Sequence, residues 1–259
     1  MVFVIVDSIL IEPNFIQVKS IQIANTGTNM TIVFLADFQR RDADPGFVEK
    51  VVKMVNEQNP DLILLGGDYV ERDVDELPSI APLKSLEAKF GVYGVMGNHD
   101  YGAFGFAPTV GGNTDLAQKI LEFFEISSSK ENAIEILRNE KIILGDQITL
   151  IGLDDYWAHL RDEKSAYDGP SKGYRILISH NQDDLDIDSD VADLFLFGHT
   201  HCGQVRLPMF GSIPKLLGFS GEYDMGHFEV NDVEVYTTCG LTPLPRFLNP
   251  PEITLIHLL

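Results

Sequence analysis

The sequence predicts an α/β protein whose core holds two mixed β-sheets with helices outside. Five short apolar runs, typical of buried strands, each end on polar side chains. These runs cover residues 31–37, 61–68, 92–100, 175–180 and 193–201. Helical patterns separate the early runs, which is typical of parallel strands, whereas a hairpin pattern follows later in the chain.

The first two runs enclose a predicted helix and form a β-α-β unit. Asp44 and Pro45 form a helix-start pair, and valines then recur at helical spacing until Pro60, which ends the helix. The strands on either side are expected to be parallel neighbours. Asp37 and Asp68 should therefore lie at adjacent strand ends.

The remaining elements follow from periodicity and turn residues. We expect helices over about 80–89, 115–125 and 131–139. Strands are predicted within 1–11 and at 141–144, 148–153 and 252–258. Asn231 and Asp232 predict a hairpin turn between strands 227–230 and 233–238. Because no repeat, low-complexity tract or long linker divides the chain, we expect one domain over residues 1–259.

Composition and charge narrow the class of protein. Of 259 residues, 44% are hydrophobic and 22% charged, which is ordinary for a globular chain. The net charge is −20, from 39 acidic and 19 basic residues. This balance disfavours nucleic acid as a partner, since its binding needs Lys and Arg to neutralise phosphates. It also opposes anionic lipid surfaces.

The cysteines and the N-terminal stretch bear on location. Cys202 and Cys239 lie in no CxxC spacing and provide no disulfide framework, which favours a reducing compartment. Residues 1–11 are apolar but short, are interrupted by Asp7 and lack a basic flank. They predict a strand rather than a signal peptide or a membrane span. We therefore expect a cytoplasmic protein, with membrane association as an open alternative.

Metal-binding side chains stand at the ends of the five apolar runs. They are Asp37, Asp68, Asn98, His99, His180, His199 and His201. The carboxyl ends of strands in α/β sheets are where ligands bind. Oxygen and imidazole ligands together suit Mn, Fe or Zn, and this set is larger than one ion needs. The sequence therefore predicts a two-metal hydrolytic centre.

The order of these motifs resembles that of the calcineurin-like metallophosphoesterases. That family carries DxH, GD, GNH(D/E), a lone His and GHxH in sequence. The corresponding residues here are Asp37-Phe38-Gln39, Gly67-Asp68, Gly97-Asn98-His99-Asp100, His180 and Gly198-His199-Thr200-His201. Residues 203–208 and 245–253 further resemble a branch of small, often membrane-proximal phosphodiesterases that includes a UDP-2,3-diacylglucosamine pyrophosphatase. The resemblance implies a four-layer α/β/β/α sandwich with two mixed sheets.

The resemblance also implies a role for each metal ligand. Asp37 and His201 would bind the first ion together with the residue at position 39, and Asp68 would bridge both ions. The second ion would be bound by three residues: Asn98, His180 and His199. We call the two groups the first half-site (Asp37, Gln39, His201) and the second half-site (Asn98, His180, His199).

Two neighbouring residues are implied in catalysis rather than in metal binding. His99 would face the scissile phosphate as a general acid or a transition-state stabiliser. Asp100 would orient or charge the His99 ring. Arg40 and Arg41 follow the first motif and are candidates to grip a substrate phosphate.

Gln39 departs from the family pattern, which has His at this position. An amide oxygen is a neutral, harder and weaker ligand than imidazole. Mn is therefore the favoured ion, with Fe, Zn and Mg as the other candidates. Gln39 also opens the alternative of a catalytically weak metal-binding regulatory module.

The predicted function is hydrolysis of a phosphodiester or pyrophosphate bond in a small-molecule or lipid-linked substrate. Phosphomonoesterase activity, including that of a protein phosphatase, is the alternative within enzymes. Peripheral membrane contact stays open, because residues 209–219 are apolar and loop-like, although a cover over the core is the favoured interpretation of that segment. The oligomeric state is left open.

Overall fold

The computed structural model describes residues 8, 11–40, 44–104, 114–125, 133–207, 210–216 and 223–259. Within these residues the strands form two six-stranded mixed sheets and one two-stranded sheet. In chain order the strands are β1 (Gln17–Ile23), β2 (Met30–Leu35), β3 (Leu62–Leu65), β4 (Val92–Gly94), β5 (Ile134–Ile136), β6 (Glu140–Leu144), β7 (Ile148–Gly152), β8 (Tyr174–Ser179), β9 (Leu194–Phe197), β10 (Arg206–Leu207), β11 (Gly211–Ser212), β12 (Gly226–Val230), β13 (Val233–Thr237) and β14 (Glu252–Leu258). The α-helices are α1 (Gly46–Asn56), α2 (Thr114–Glu125), α3 (Glu163–Tyr167) and α4 (Ile213–Leu216).

The first six-stranded sheet has the order β1-β14-β2-β3-β4-β5. Strands β2 to β5 are parallel neighbours, as the predicted β-α-β unit requires. Strand β14 lies between β1 and β2, parallel to the first and antiparallel to the second. The sheet is therefore mixed, and its parallel strands all end at the same edge.

The second six-stranded sheet has the order β12-β13-β9-β8-β7-β6. Its four central strands are parallel, and an antiparallel partner closes each side. The predicted hairpin is confirmed, because Val230 pairs with Val233 across Asn231 and Asp232. Both turn residues have positive φ, 51° and 65°, as a primed two-residue turn requires.

Alternation along the strands builds the layers. In β2, Ile32 and Phe34 join an apolar cluster that also contains Ile178 and Leu196 of the second sheet. The intervening residues point to the opposite face, as the two-residue period of a strand dictates. The two sheets therefore pack face to face, and the predicted four-layer α/β/β/α arrangement is confirmed.

The helices that cover the outer faces of the two sheets differ in length. Helix α1 covers the first sheet with four buried valines at helical spacing: Val48, Val51, Val52 and Val55. The predicted start of this helix holds to within one residue, because the Asp44 carboxylate accepts the Gly46 N–H at 2.9 Å. Over the second sheet the short helix α3 buries Ala166 against the outer face.

Two predicted helices are wrong. The described part of 131–139 contains strand β5, since the alternation of Ile134 and Ile136 suits the edge of the first sheet. The helix expected at 80–89 is instead a 3₁₀ helix at Val74–Ser85. Pro78 and Pro82 lie inside it, and each lacks the N–H that a regular α-helix needs.

The N-terminal prediction is largely untested. The strand expected within 1–11 lies outside the described residues, except for Ser8 and Ile11. Strand β1 was not predicted, because its residues are largely polar and exposed along the sheet edge. Among the helices of the described residues, none combines the length and the hydropathy needed to cross a bilayer.

Two isoleucines of the second sheet provide a matched test of the inter-sheet core. Ile178 is fully buried between the sheets, whereas Ile143 is 38% exposed. We expect Ile178→Ala to lower the free energy of unfolding by about 2–5 kcal/mol, because a cavity remains. Ile143→Ala should lower it by less than about 1 kcal/mol. Urea unfolding followed by circular dichroism measures both; equal losses would contradict the packing described here.

Candidate metal centre

The predicted metal ligands lie where the strands of both sheets end. On the first sheet they are Asp37, Asp68 and Asn98, which follow β2, β3 and β4. On the second sheet they are His180, which follows β8, and His199 and His201, which follow β9. Because the sheets pack face to face, both sets of loops meet at one end of the inter-sheet core. The structure thus brings together side chains that are far apart in sequence.

Asp68 links the two half-sites. In the first half-site, Nε2 of His201 lies 3.3 Å from Oδ1 of Asp37. The Gln39 amide donates to Oδ2 of Asp68 at 2.6 Å. On the other side, Nε2 of His180 lies 3.1 Å from the same Asp68 oxygen. One carboxylate oxygen therefore contacts a residue of each half-site.

The second half-site is fixed by backbone contacts. Nδ1 of His199 lies 2.9 Å from Oδ1 of Asn98, and the Asn98 amide donates to the Ala103 carbonyl at 2.7 Å. Nδ1 of His180 lies 2.7 Å from the Gly66 carbonyl, which leaves Nε2 directed at the carboxylates. These contacts orient each donor atom before any ion binds.

The backbone at the ligands is strained. Asp37, Gln39, Asp68, His199 and His201 all have positive φ, between 38° and 66°. Non-glycine residues in this region cost on the order of 1–3 kcal/mol each, and they persist where the surrounding structure holds them. Such clusters are typical of functional sites.

The ionisable ligands hold one another in definite charge states. Burial alone would raise the pKa of Asp68, but the His180 ring outweighs it and holds that pKa below its usual range. Burial would also raise the pKa of Asp37, but the contact with His201 outweighs it and lowers that pKa. Burial would lower the pKa of His180, yet Asp68 and Asp37 raise it to about 10. For His199, burial and the charge on His180 lower the pKa to about 3. The two buried carboxylates are therefore stabilised by positive charge beside them.

Buried side-chain atoms of this cluster are available to bind a cation. Oδ2 of Asp37 and Oε1 of Gln39 are buried and make no hydrogen bond with any described residue. Nε2 of His180 is also buried and faces the carboxylate of Asp68, 3.1 Å away. Each unsatisfied atom costs about 1–3 kcal/mol unless something binds it. Ligand atoms of Asp37, Asp68 and His180 lie within 4.8 Å of one another, close enough to share an ion. The donor set is therefore suited to divalent metal ions.

His99 lies beside this cluster and is oriented by a residue that the sequence analysis missed. Its Nδ1 lies 2.9 Å from the backbone carbonyl of Glu71 and 3.6 Å from the Glu71 carboxylate. Because a carbonyl only accepts, Nδ1 carries the proton. Glu71 follows the Gly67-Asp68 motif by three residues, but no sequence pattern linked it to His99.

Asp100 contacts the ligand loops rather than the ring it was expected to orient. Its carboxylate accepts the backbone N–H groups of Gly97, Asp68 and Tyr69 at 2.9, 2.9 and 2.8 Å. These bonds tie the loop after β4 to the loop after β3. The orienting contact to His99 comes from Glu71 instead, so Asp100 stabilises the site through the backbone.

Of the two arginines predicted to bind phosphate, only Arg40 is among the described residues. The Arg40 guanidinium lies over the Phe47 ring, 4.8 Å from its centroid. Its backbone bridges to Val70, in the loop that follows Asp68. Arg41 lies outside the described residues. The role of both in substrate binding stays a prediction.

The cysteine prediction is wrong, because Cys202 and Cys239 form a disulfide. They are 37 residues apart in sequence and share no local pattern. Cys202 follows the loop after β9 and Cys239 follows β13, however, and these strands are parallel neighbours. Their ends therefore meet at one sheet edge. The expectation of a reducing compartment, which rested on unpaired cysteines, loses its basis.

The apolar segment at 209–219 is not a cover over the core where it is described. Phe210, Ile213 and Leu216 are 68%, 39% and 52% exposed. Leu207, just before it, is 40% exposed. A place in the core is therefore wrong for these residues, and their apolar side chains are exposed close in sequence to His201.

The single tryptophan packs against a metal ligand. The rings of Trp157 and His199 are 4.5 Å apart between centroids, and the Trp157 indole donates to Asp183 at 2.7 Å. The loop that carries it is held by Asp155, whose carboxylate accepts from the Ala158 backbone and the Asn181 amide. This loop forms one wall of the second half-site.

The fold and the donor set define a metal-dependent hydrolase architecture, with ligands from two sheets meeting at the carboxyl ends of their strands. Residues 30–203 match the calcineurin-like phosphoesterase family, and the chain belongs to this family. Its members are metallophosphoesterases, which bind divalent metal ions. The expected resemblance and fold are thus confirmed.

Several relatives share most of this chain. Phosphodiesterase YaeI of Escherichia coli is 30% identical over 239 residues, covering 88% of this chain and 81% of that protein. UDP-2,3-diacylglucosamine pyrophosphatase LpxG of Chlamydia trachomatis is 28% identical over 277 residues, covering 89% and 84%. A metallophosphoesterase of Helicobacter pylori is 32% identical over 225 residues, and the match covers 82% of this chain but 55% of that relative. The chain therefore spans about half the length of the Helicobacter pylori protein.

Two glycines with positive φ provide a matched test of the site. At Gly240 an added Cβ would lie 2.5 Å from Oδ2 of Asp37, whereas at Gly145 it would meet nothing within 4 Å. Both alanine variants should be destabilised by about 1–2 kcal/mol. We expect Gly240→Ala alone to weaken Mn²⁺ binding, by roughly tenfold or more, because Asp37 must move. Titration calorimetry on both variants checks this; equal Mn²⁺ affinities would contradict it.

Proposed function

We propose that the chain is a phosphohydrolase that uses two divalent metal ions to cleave a phosphodiester or pyrophosphate bond. One observation carries this proposal: Oδ2 of Asp37 and Oε1 of Gln39 are buried without hydrogen-bond partners among the described residues. They lie beside the buried pair that His180 and Asp68 form. A purely structural cluster would be expected to satisfy these atoms internally. Donors that stay unsatisfied are instead suited to bind ions and substrate.

The residues fit two ions in the half-sites defined above. Asp37, Gln39 and His201 would hold the first ion, and Asn98, His180 and His199 the second. Asp68 would bridge them, which is supported by its contacts to Gln39 and His180. Mn²⁺ is the favoured ion because the Gln39 oxygen is a hard ligand, with Fe, Zn and Mg as the other candidates.

Bound ions of this kind lower the pKa of water and neutralise charge on the phosphoryl oxygens. The protein's own contribution then falls to His99. Since Nδ1 is directed at the Glu71 carbonyl, the protonated ring can donate from Nε2 to the leaving oxygen. The Glu71 carboxylate lies 3.6 Å from the same nitrogen, Nδ1.

The substrate class is inferred from relatives and from the surface. Relatives are named a phosphodiesterase and a UDP-2,3-diacylglucosamine pyrophosphatase, which favours a diester or a pyrophosphate here as well. Exposed Leu207, Phe210 and Leu216, close in sequence to His201, suit a lipid-linked substrate and peripheral membrane contact. The net charge of −20 disfavours nucleic acid. The disulfide favours an oxidising compartment over the cytoplasm.

A weaker alternative rests on Gln39. Its amide N–H already donates to the bridging carboxylate of Asp68 at 2.6 Å, so an ion must compete with that bond. If the first half-site fills poorly, the protein would be a metal-binding regulatory module with little turnover. Phosphomonoesterase activity is the other alternative, and the substrate assay below separates all three.

The proposal predicts diester hydrolysis that depends on metal. Metal-stripped protein should hydrolyse bis-p-nitrophenyl phosphate when Mn²⁺ is added, and faster than p-nitrophenyl phosphate, because the proposed substrate is a diester. Zn²⁺ and Mg²⁺ serve as comparison ions. Faster cleavage of the monoester would favour the phosphomonoesterase, and no turnover with any ion would favour the regulatory module.

His99→Ala should remove catalysis but not metal binding. Loss of a general acid typically lowers turnover by about 10²–10⁴-fold, and His99 donates no ligand in either half-site. His159→Ala is the matched control, because His159 is exposed and lies in no motif. Turnover of bis-p-nitrophenyl phosphate and bound Mn²⁺, measured on the same samples, check the prediction. Loss of metal with His99→Ala would contradict the assigned role.

A further inference from the structure

We propose that Asn249 and Arg246 are positioning residues for the first half-site. Both lie in the segment 239–252, between β13 and β14, and neither is a metal ligand. The inference rests on the proposed two-metal function and deepens it. It identifies the contacts that hold Asp37 and His201 in place. These two residues form the first half-site together with Gln39.

Asn249 supports His201. Its side-chain amide donates to the His201 backbone carbonyl at 2.8 Å, and Asn249 itself is 3% exposed. His201 has a φ of 48°, a conformation that needs outside support. Asn249 is in turn anchored by its backbone, since its N–H donates to the Glu12 carboxylate. A fixed amide therefore holds the strained backbone of a metal ligand.

Arg246 organises the same segment from its centre. Its guanidinium is fully buried, and its donors are directed at four backbone carbonyls, those of Thr242, Asn249, Cys239 and Gly240, at 2.9–3.2 Å. The rigid planar fork of arginine suits such a set, whereas lysine has a single point charge. Because the buried Arg246 guanidinium bonds only to backbone carbonyls, we infer that it holds the backbone geometry of the 239–252 segment.

The segment held by Arg246 contacts Asp37 directly. The N–H of Leu241 donates to the backbone carbonyls of Ala36 and Asp37 at 3.0 and 3.2 Å. Gly240, whose carbonyl accepts from Arg246, packs so close to Asp37 that an added Cβ would lie 2.5 Å from its Oδ2. One network thus reaches both Asp37 and His201 of the first half-site.

The second half-site is held by other contacts. His180 is oriented by the Gly66 carbonyl and Asn98 by the Ala103 carbonyl, and neither bond involves residues 239–252. His199 is linked to the first half-site through one backbone bond to Asp37, at 3.0 Å, while its ring packs against Trp157. Disturbing the segment should therefore weaken one ion more than the other. A role limited to general stability would not produce this selectivity.

The test compares Asn249→Leu with Asn56→Leu. Leucine keeps the approximate size of asparagine and removes its amide donor. Asn56 is the matched control, since its amide also donates to a backbone carbonyl, that of Ser85, at 2.8 Å and away from the metal centre. Calorimetry with Mn²⁺ counts ions and affinities in metal-stripped protein. Fluorescence of Trp157, which packs on His199, responds most strongly to an ion in the second half-site, because paramagnetic Mn²⁺ quenches the indole it lies nearest to.

We expect wild-type protein and Asn56→Leu to bind two Mn²⁺ ions with the same affinities. In Asn249→Leu one ion should bind about 10–100-fold more weakly, while the Mn²⁺ concentration that half-quenches Trp157 should shift by less than about twofold. Arg246→Lys should weaken the same ion. Asn249→Leu keeps every Arg246 contact, so it decides the question even if Arg246→Lys does not fold.

Other outcomes overturn the inference in distinguishable ways. If Asn249→Leu lowers the melting temperature but binds both ions as wild type does, Asn249 is merely structural. If both ions weaken equally, the segment does not act on the first half-site. If wild-type protein binds fewer than two ions, the proposed two-metal function fails, and the positioning role fails with it.

Discussion

The carboxylates of Asp37 and Asp68 lie fully buried, next to the imidazole rings of His180 and His201, at the end of the packed interface between two sheets. Buried charge of one sign is costly unless opposite charge is close. The His180 ring, whose pKa the two carboxylates raise to about 10, provides part of that charge, and a divalent cation would provide more. Much of the surrounding structure keeps these four side chains from relaxing apart.

The sheets supply the rigidity that the ligand loops lack. Each carboxylate also accepts a backbone N–H from a neighbouring ligand loop: Asp37 from His199 at 3.0 Å, and Asp68 from His99 at 2.9 Å. The loops are therefore linked to one another, and each leaves a buried strand. Backbone strain at the ligands can persist because the apolar core between the sheets holds the strand ends in place.

Most strands, and the placement of the candidate metal ligands at strand ends, were predictable because their signals are local. An apolar run followed by Gly67-Asp68 or His199-Thr200-His201 can be recognised from a few consecutive residues. The supporting residues were not predictable in this way. Glu71 orients His99 through its own backbone carbonyl, so the side chain at that position says little about the contact.

Other misses have the same physical origin. The disulfide between Cys202 and Cys239 depends on the neighbouring ends of β9 and β13, which is a property of sheet order and not of spacing. Strand β1 was missed because an exposed edge strand can be built from polar residues. The helix expected at 80–89 failed because Pro82 acts through a missing N–H that hydrophobic periodicity ignores.

The position of β14 has a consequence for how the protein is made. This strand, Glu252–Leu258, is inserted between β1 and β2, whose residues leave the ribosome more than 200 residues earlier. Until it arrives, β1 and β2 have no partner in common, and the 239–252 segment is not yet held at its C-terminal end. Contacts of such long sequence separation are slow to form. The first half-site is therefore expected to mature only after β14 has been synthesised, so molecules that lack this strand should be poor at capturing metal ions.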